Sequence, residues 1–483
     1  MRRAAGDRPV AGPMRELLQG PGVENPPASS GPYLQRQAQR ESNARSYPRR
    51  IPFAFKKAEG VYLTSVEGKQ YIDCLAGAGA LPLGHNHPVA IQAIQTVIRG
   101  KFPLLTLDLP TPLKDRFVDE LFACLPAEFA RNARIQFCSP AGTDAVEAAL
   151  KLVKTATARR GILSFQGAYH GMSHGSLSLT GNLAAKVVPN LMPEVQFLPY
   201  PYELRCPFGL GGEVGYRTGL HYIENLLKDP EGGVPSPAGI ILEVVQGEGG
   251  VIPAPDEWLR GLRRITQEQQ IPLIVDEIQT GFGRTGKLFA FEHSGIVPDV
   301  LLLSKAIGGG LPLAVVVYRE SLDRWQPGAH AGTFRGNQLA MATGLATLRH
   351  ILEHRLWEHA QVMGERLLTH LHQIRSSWIG EVRGRGLMLG VEIVDPTGEP
   401  DYRGIAPHAG AMARRIQAEC LERGVIVEVG GRDGSVVRFL PPLIVTDSQI
   451  DTIAEVFHDA VHAATRITST APDSRIALPT AAL

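Results

Sequence analysis

The chain reads as an α/β protein whose mostly parallel sheet is covered by helices on both faces. Three observations predict this. Seven short runs rich in Ile, Val and Leu recur through the middle of the chain: ARIQFC (133–138), GILSF (161–165), VQFLPY (195–200), GIILEVV (239–245), IPLIVDE (271–277), VLLLS (300–304) and LAVVVY (313–318). Most are apolar throughout rather than alternating, the pattern of strands buried on both faces. Amphipathic helices stand between them, as in DAVEAALKLVKTA (144–156) and DEWLRGLRRITQEQQ (256–270), which is the rhythm of parallel crossover units.

The flanks differ. Residues 1–45 are rich in Pro, Gly, Arg and Ser without sustained periodicity, and read as a flexible extension with one short helix at Met14–Leu18. Short alternating stretches from Ala54 to Asp73 predict a small antiparallel sheet. A loop, AGAGALPLGHNHP, follows, then a helix from Pro88 to about Ile98 with proline early in its first turn. Beyond Asn337 the chain reads as helical to about Arg375. Strands follow near 390–395, 424–430 and 436–441, then a helix over Ile450–Ala464 and a loose tail from Thr465.

Bulk properties exclude several classes. At 483 residues, 44% hydrophobic and 20% charged, the chain is an ordinary globular protein of two or three domains. A net charge of +1 gives no footprint for nucleic acid or an anionic membrane. No apolar run approaches the length of a membrane span, and the first residues lack the apolar core of a signal peptide. Five scattered cysteines, never in CxxC spacing, argue against a disulfide framework or a cysteine zinc site and for a reducing compartment, the cytoplasm.

In an open parallel sheet, ligands bind outside the carboxyl ends of the strands. The residues just past each apolar run are therefore the ones to weigh. SPAGTDAVEAALK places small residues at a helix start, where Gly142 and Thr143 offer amides, a hydroxyl and a positive dipole end to a phosphate. An ordinary helix cap looks the same. Tyr169-His170-Gly171 offers an aromatic face, or simply a packed tyrosine. Asp276 ends a strand so apolar that its carboxylate must be half buried, which is costly without a cation. Arg284, Arg335 or a ligand cation are the partners available. Lys305 closes the next strand, just before Gly308-Gly309-Gly310; a surface lysine is the ordinary alternative. GFGRTG (281–286) matches a dinucleotide-binding fingerprint, but its first glycine comes four residues after Glu277 and no good helix follows.

A phosphate cradle, an aromatic plate, an acid and a lysine together are what pyridoxal 5'-phosphate requires: an amine for its Schiff base and an acid that keeps its ring nitrogen protonated. The stretch VDEIQTGFGRTGKLFAFEHSGIVPDVLLLSKAIGGGLPL resembles the signature of the class III, fold type I aminotransferases, over roughly Ala54–Ala464. The resemblance implies that Lys305 carries the Schiff base and serves as proton-transfer base. It implies that Asp276 pairs with the ring nitrogen, Gln279 with the ring hydroxyl, Gly142 and Thr143 with the phosphate, and that Tyr169 stacks, His170 beside it. Thr333, in HAGTFRGN, matches a residue that reaches the phosphate of a neighbouring subunit, so a homodimer with shared sites is expected. The implied fold is a large domain (101–340) bearing a mostly parallel seven-stranded sheet, and a small α+β domain from both chain ends (46–100 and 341–466), with 467–483 a tail.

Arg438 and Glu248 match the family's arginine for the 2-oxoglutarate carboxylate and the acid that covers it. Met172 stands where relatives acting on 4-aminobutyrate or ornithine often carry a carboxylate-gripping arginine, and methionine cannot form such an ion pair. SYPRRIPFAFKKAEG and LPYPYELRCPFGLGG resemble the diaminobutyrate–2-oxoglutarate aminotransferases, as does YHGMSHGSLSLTGN. The implied partners are a small amino donor and a 2-oxo acid. Other ω-aminotransferases, racemases and decarboxylases on this scaffold are the alternatives.

Overall fold

A computed structural model describes residues 29–466. The helix expected at Met14–Leu18 and the tail beyond 466 lie outside the described residues. The described residues form two compact units, one of the segment up to Ala58 with Leu63–Gln70, the other of Glu59–Tyr62 with the chain from Tyr71 on.

In the first unit a helix spans Gly31–Arg40, with a proline at its start, where the sequence reading places only a loose extension. Ser30 anchors it: its amide donates to Glu67 at 2.5 Å, and its hydroxyl accepts from the Ala54 amide at 2.8 Å.

The second unit holds the predicted seven-stranded sheet. Its strands are β1 (Ala133–Phe137), β2 (Ile162–Phe165), β3 (Val195–Leu198), β4 (Gly239–Leu242), β5 (Leu273–Asp276), β6 (Val300–Leu303) and β7 (Val315–Arg319). Their order is β1-β7-β6-β5-β4-β2-β3. β7 runs antiparallel to both its neighbours, and the other pairs are parallel. The side-chain period of two sends Leu273, Val275, Leu301 and Leu303 into one core and Ile274, Val300 and Leu302 into the other. The second core includes Ala145, Val146, Ala149 and Val153 from helix α1 (Gly142–Thr157). Burial on both faces is why these strands are uniformly apolar.

A second, antiparallel sheet joins β8 (Ile379–Arg385), β9 (Met388–Ile393), β10 (Glu428–Gly430) and β11 (Val436–Phe439) in the order β8-β9-β11-β10. β8 was not anticipated; its EVRGR core carries charge and glycine rather than an apolar run. The final helix extends over Asp447–Arg466, past the expected end at Ala464.

Candidate active site

The carboxyl ends of β1, β2, β4, β5 and β6 open on one cavity of about 260 Å³. Lys305, Asp276, Gly142, Thr143, Tyr169, His170, Gln279, Glu248 and Met172 all line it, together with Glu243 and Ile278. Nine of the eleven residues singled out in the sequence thus converge. Arg438 stands behind Glu248, and Thr333 does not line this cavity.

Lys305 leaves β6 with φ 50°, a left-handed conformation that costs a side-chain-bearing residue. The next turn, Lys305–Gly308, is clamped from the helix Gln338–Glu353: the Thr343 hydroxyl donates to the Gly308 carbonyl at 2.6 Å. A Cβ on Gly309 would lie 2.4 Å from Thr347 Oγ1. The glycines therefore let that helix pack against the lysine turn. Burial pushes the Lys305 ammonium below the usual lysine value, while the charges of Glu248, Asp276 and Glu243 oppose it.

Asp276 ends β5 only 4% exposed. Its Oδ2 lies 2.7 Å from His170 Nδ1, and its Oδ1 accepts from the Ile278 amide at 3.0 Å. The protein partner of this carboxylate is therefore His170. Neither arginine considered from the sequence fills that place: Arg284 donates to the Leu387 and Pro441 carbonyls, and Arg335 to Asp108 at 2.6 Å. Arg284 also explains GFGRTG, which forms turns and a buried arginine post with no α-helix after it.

The cradle is built where β1 passes into α1. Gly142 is the first residue of this 16-residue helix. Thr143 Oγ1 lies 2.6 Å from Ser173 Oγ and 2.5 Å from Ser176 Oγ. Gly171, at φ 124°, brings its backbone so close that a Cβ would sit 2.6 Å from Thr143 Oγ1. Asp144 ties this region to the loop before Thr333, accepting from the Ser139 amide at 2.6 Å and standing 3.1 Å from His330 Nε2.

Glu243, missed in the sequence, sits just past β4 and is 7% exposed. It accepts from the Tyr169 amide at 2.9 Å and the Gly247 amide at 3.0 Å. Burial, reinforced by the Asp276 charge, pushes its carboxyl up to about 7. Ile278, one of the positions just past an apolar run, adds an apolar wall where Tyr169 supplies an aromatic one. Position just past β4 was the signal available for Glu243. Farther out, Arg438 donates two bonds to Glu248, at 2.8 and 3.0 Å. Arg438 is 3% exposed although it lies on a strand buried throughout.

The family model "Aminotransferase class-III" matches residues 44–461. The chain is 60% identical over 425 residues to a diaminobutyrate–2-oxoglutarate aminotransferase of Rhizobium meliloti (strain 1021), covering 87% of this chain and 90% of the relative. It is 50% identical over 437 residues to a protein of the same name from Haemophilus influenzae, covering 90% and 96%. An (S)-enantioselective omega-transaminase from Thermomicrobium roseum superposes with a TM-score of 0.79 at 28% identity, covering 90% of this chain and 98% of that one. An amine transaminase from an uncultivated Pseudomonas species, solved with PLP bound, gives 0.78 at 26% identity over 88% and 98%. The chain belongs to the class III aminotransferases.

Proposed function

We propose that this enzyme moves the 4-amino group between L-2,4-diaminobutyrate and 2-oxoglutarate, with pyridoxal 5'-phosphate held in the Lys305 cavity. The observation that carries the reading is the pairing of Arg438 with Glu248 at the wall of the cavity that holds Lys305. A transaminase must accept two unlike substrates at one place. An arginine that is covered by an acid for one substrate and bared for a dicarboxylate suits that need.

The donor set fits the cofactor. The buried Gln279 Oε1 has no hydrogen-bond partner among the described residues, as an acceptor reserved for a ligand hydroxyl would. The Gly142 end of α1 and Thr143 Oγ1 would hold the phosphate. Asp276 would hold the ring nitrogen, Tyr169 would stack on the ring, and Lys305 would bind the aldehyde covalently. The cofactor, when bound, supplies an electron sink that acidifies the carbon bearing the amine.

The chain's own groups do the rest. Once displaced by the substrate amine, Lys305 Nζ, its proton affinity lowered by burial, would carry the proton from that carbon to the former aldehyde carbon of the cofactor. His170 fixes the orientation of Asp276. Arg438 grips the distal carboxylate of 2-oxoglutarate by a two-bond ion pair, and Glu248 neutralises it when the diamine occupies the cavity. Met172, 55% exposed, leaves the diamine's own carboxylate without the arginine clamp of other ω-aminotransferases.

The working unit is proposed to be a homodimer. Leu104, Leu105, Leu107 and Leu109 are 40–63% exposed, and Phe334 is 59% exposed. They form one patch, because the Gln338 amide donates to Leu104 and the Thr106 amide to Gly336, at 3.0 and 3.2 Å. Thr333 stands next to Phe334, so a second copy seated here would receive it. Among the described residues no helix is long and apolar enough to cross a membrane; a cytoplasmic location is proposed.

The test is a pair of half-reactions on purified, cofactor-loaded protein. L-2,4-diaminobutyrate should convert the bound cofactor to its amine form, and 2-oxoglutarate should restore it. Conversion by ornithine or 4-aminobutyrate but not by diaminobutyrate would contradict the substrate assignment and leave the chemistry intact.

A further inference from the structure

The segment LPYPYELRCPFGLGG (198–212) takes no part in the cavity chemistry, yet it carries a buried charge cluster. Glu392, on β9, is wholly buried. It accepts from the Tyr202 hydroxyl, from Arg205 Nε at 2.8 Å and from Arg383 Nη1 at 2.8 Å; His408 Nδ1 lies 3.3 Å away. Burial alone would raise its carboxyl, but His408, Arg383, Tyr202 and Arg205 hold it well below the usual carboxylate range. The guanidiniums of Arg383 and Arg432 both stack on the Tyr202 ring, 5.0 and 5.1 Å from its centre.

The two arginines point their remaining donors at one turn. Arg432 Nη1 donates to the Gly249 carbonyl at 2.8 Å. Arg383 Nη2 donates to the Gly250 carbonyl at 2.7 Å, and its Nε to the Val251 carbonyl at 3.1 Å. The Glu248 carbonyl accepts from the Gly431 amide at 2.9 Å, and the Gly247 amide is held by Glu243. Every residue from Gly247 to Val251 thus has its backbone tied. Gly250 sits at φ 116°, and a Cβ there would lie 3.2 Å from Arg383 Nη2. This turn carries Glu248.

We infer that Tyr202, Arg205, Glu392, Arg383 and Arg432 form a brace that immobilises the backbone of the Gly247–Val251 turn, so that only the Glu248 side chain moves when the two substrates exchange. These are positioning residues; none touches the reacting atoms. Charges buried this deeply are costly unless their geometry is well satisfied, and here the arginine donors are used on the carbonyls of the turn. The inference rests on the proposed exchange of Glu248 on Arg438. That exchange needs two discrete side-chain states over a fixed frame; a loose turn would lose the covered state first.

The experiment measures the two half-reactions separately, by single turnover, in cofactor-loaded Arg432→Gln, Arg432→Lys and Tyr202→Phe, with Glu248→Gln as control. The diamine half-reaction needs Glu248 closed on Arg438; the 2-oxoglutarate half-reaction needs it withdrawn. Arg432→Gln should lower kcat/KM for diaminobutyrate about tenfold, the scale of one charged hydrogen bond, and change that for 2-oxoglutarate less than about twofold. Arg432→Lys should recover part of the loss, and Tyr202→Phe should show a smaller split of the same sign. A merely structural role would lower the melting temperature and slow both half-reactions alike. If Glu248→Gln separates the half-reactions while Arg432→Gln slows both equally or neither, the brace is overturned. If Glu248→Gln itself gives no separation, the exchange on Arg438 fails instead. Should Arg432→Gln not fold, the presence or absence of a split in Tyr202→Phe decides.

Discussion

His170 Nδ1 lies 2.7 Å from Asp276 Oδ2, and both side chains are buried. A carboxylate at the end of an apolar strand thus has a neighbour that orients it through one oxygen, where a bidentate arginine would engage both. Asp276 also lines the cavity, where a ligand cation could meet it.

That relationship predicts the behaviour of Asp276→Asn. The variant keeps the shape and the Ile278 contact but loses the charge. Its kcat should fall about 10²-fold or more, the scale of losing a preorganised electrostatic contact, with cofactor still bound. His170→Ala, which frees Asp276 to rotate, should cost less. Stopped-flow half-reactions report both, and an Asp276→Asn enzyme of normal rate would contradict the role.

Glu277, the neighbour of Asp276, predicts a pH dependence of stability. Burial raises its carboxyl from 4.5 to about 7, although the Ala290 and Phe291 amides and the Thr280 hydroxyl bond to it. The folded value lies above the unfolded one, so the folded state holds more protons between them. The stabilisation is fully present below about pH 4.5 and is lost as pH rises through 7, an effect of order 1–3 kcal/mol. The melting temperature of Glu277→Gln should vary less between pH 5 and pH 8, roughly the range spanned by that titration, than that of the unaltered protein. An unchanged difference would show that Glu277 does not titrate there.

The leucine patch predicts an assembly. Leu109→Asp combined with Phe334→Asp should give monomers by light scattering, and activity should fall with the dimer because Thr333 is withdrawn from its neighbour. Thr333→Ala should weaken cofactor retention without changing mass. Fully active monomers would contradict the shared site.

Met172 predicts a change of preference. Met172→Arg places a cation at the cavity mouth that either donor's carboxylate can meet but that repels the 2-ammonium carried only by diaminobutyrate, so the ratio of kcat/KM for 4-aminobutyrate over diaminobutyrate should rise about tenfold, the scale of one charged hydrogen bond. Competition between the two donors measures it, and an unchanged ratio would show that the distal carboxylate binds elsewhere.

The parts legible in the sequence were those with a strong local cause. Seven apolar runs gave seven strands because burial on both faces leaves no alternative composition. The antiparallel direction of Val315–Arg319 was not legible, since a strand apolar throughout looks the same in either direction. Ile379–Arg385 escaped because Arg383 and Arg385 spend their charge on carbonyls of other segments, at Gly250 and Ala254, and no local pattern records that. The helix Gly31–Arg40 escaped because it is short and polar overall, has only Tyr33, Leu34 and Ala38 to mark an apolar face, and buries no residue fully. In the site, residues just past strands were found by position. The His170–Asp276 pair spans 106 residues, and Glu243 acts through backbone amides, a role any residue with a carboxylate at that point could fill.

The most direct measurement concerns Lys305. Borohydride reduction of the cofactor-loaded enzyme, followed by peptide mapping, should fix the phosphopyridoxyl group on Lys305 alone, and pretreatment with L-2,4-diaminobutyrate should prevent the labelling. Label on another lysine, or none after loading with pyridoxal 5'-phosphate, would contradict the assignment of this cavity as the transaminase site.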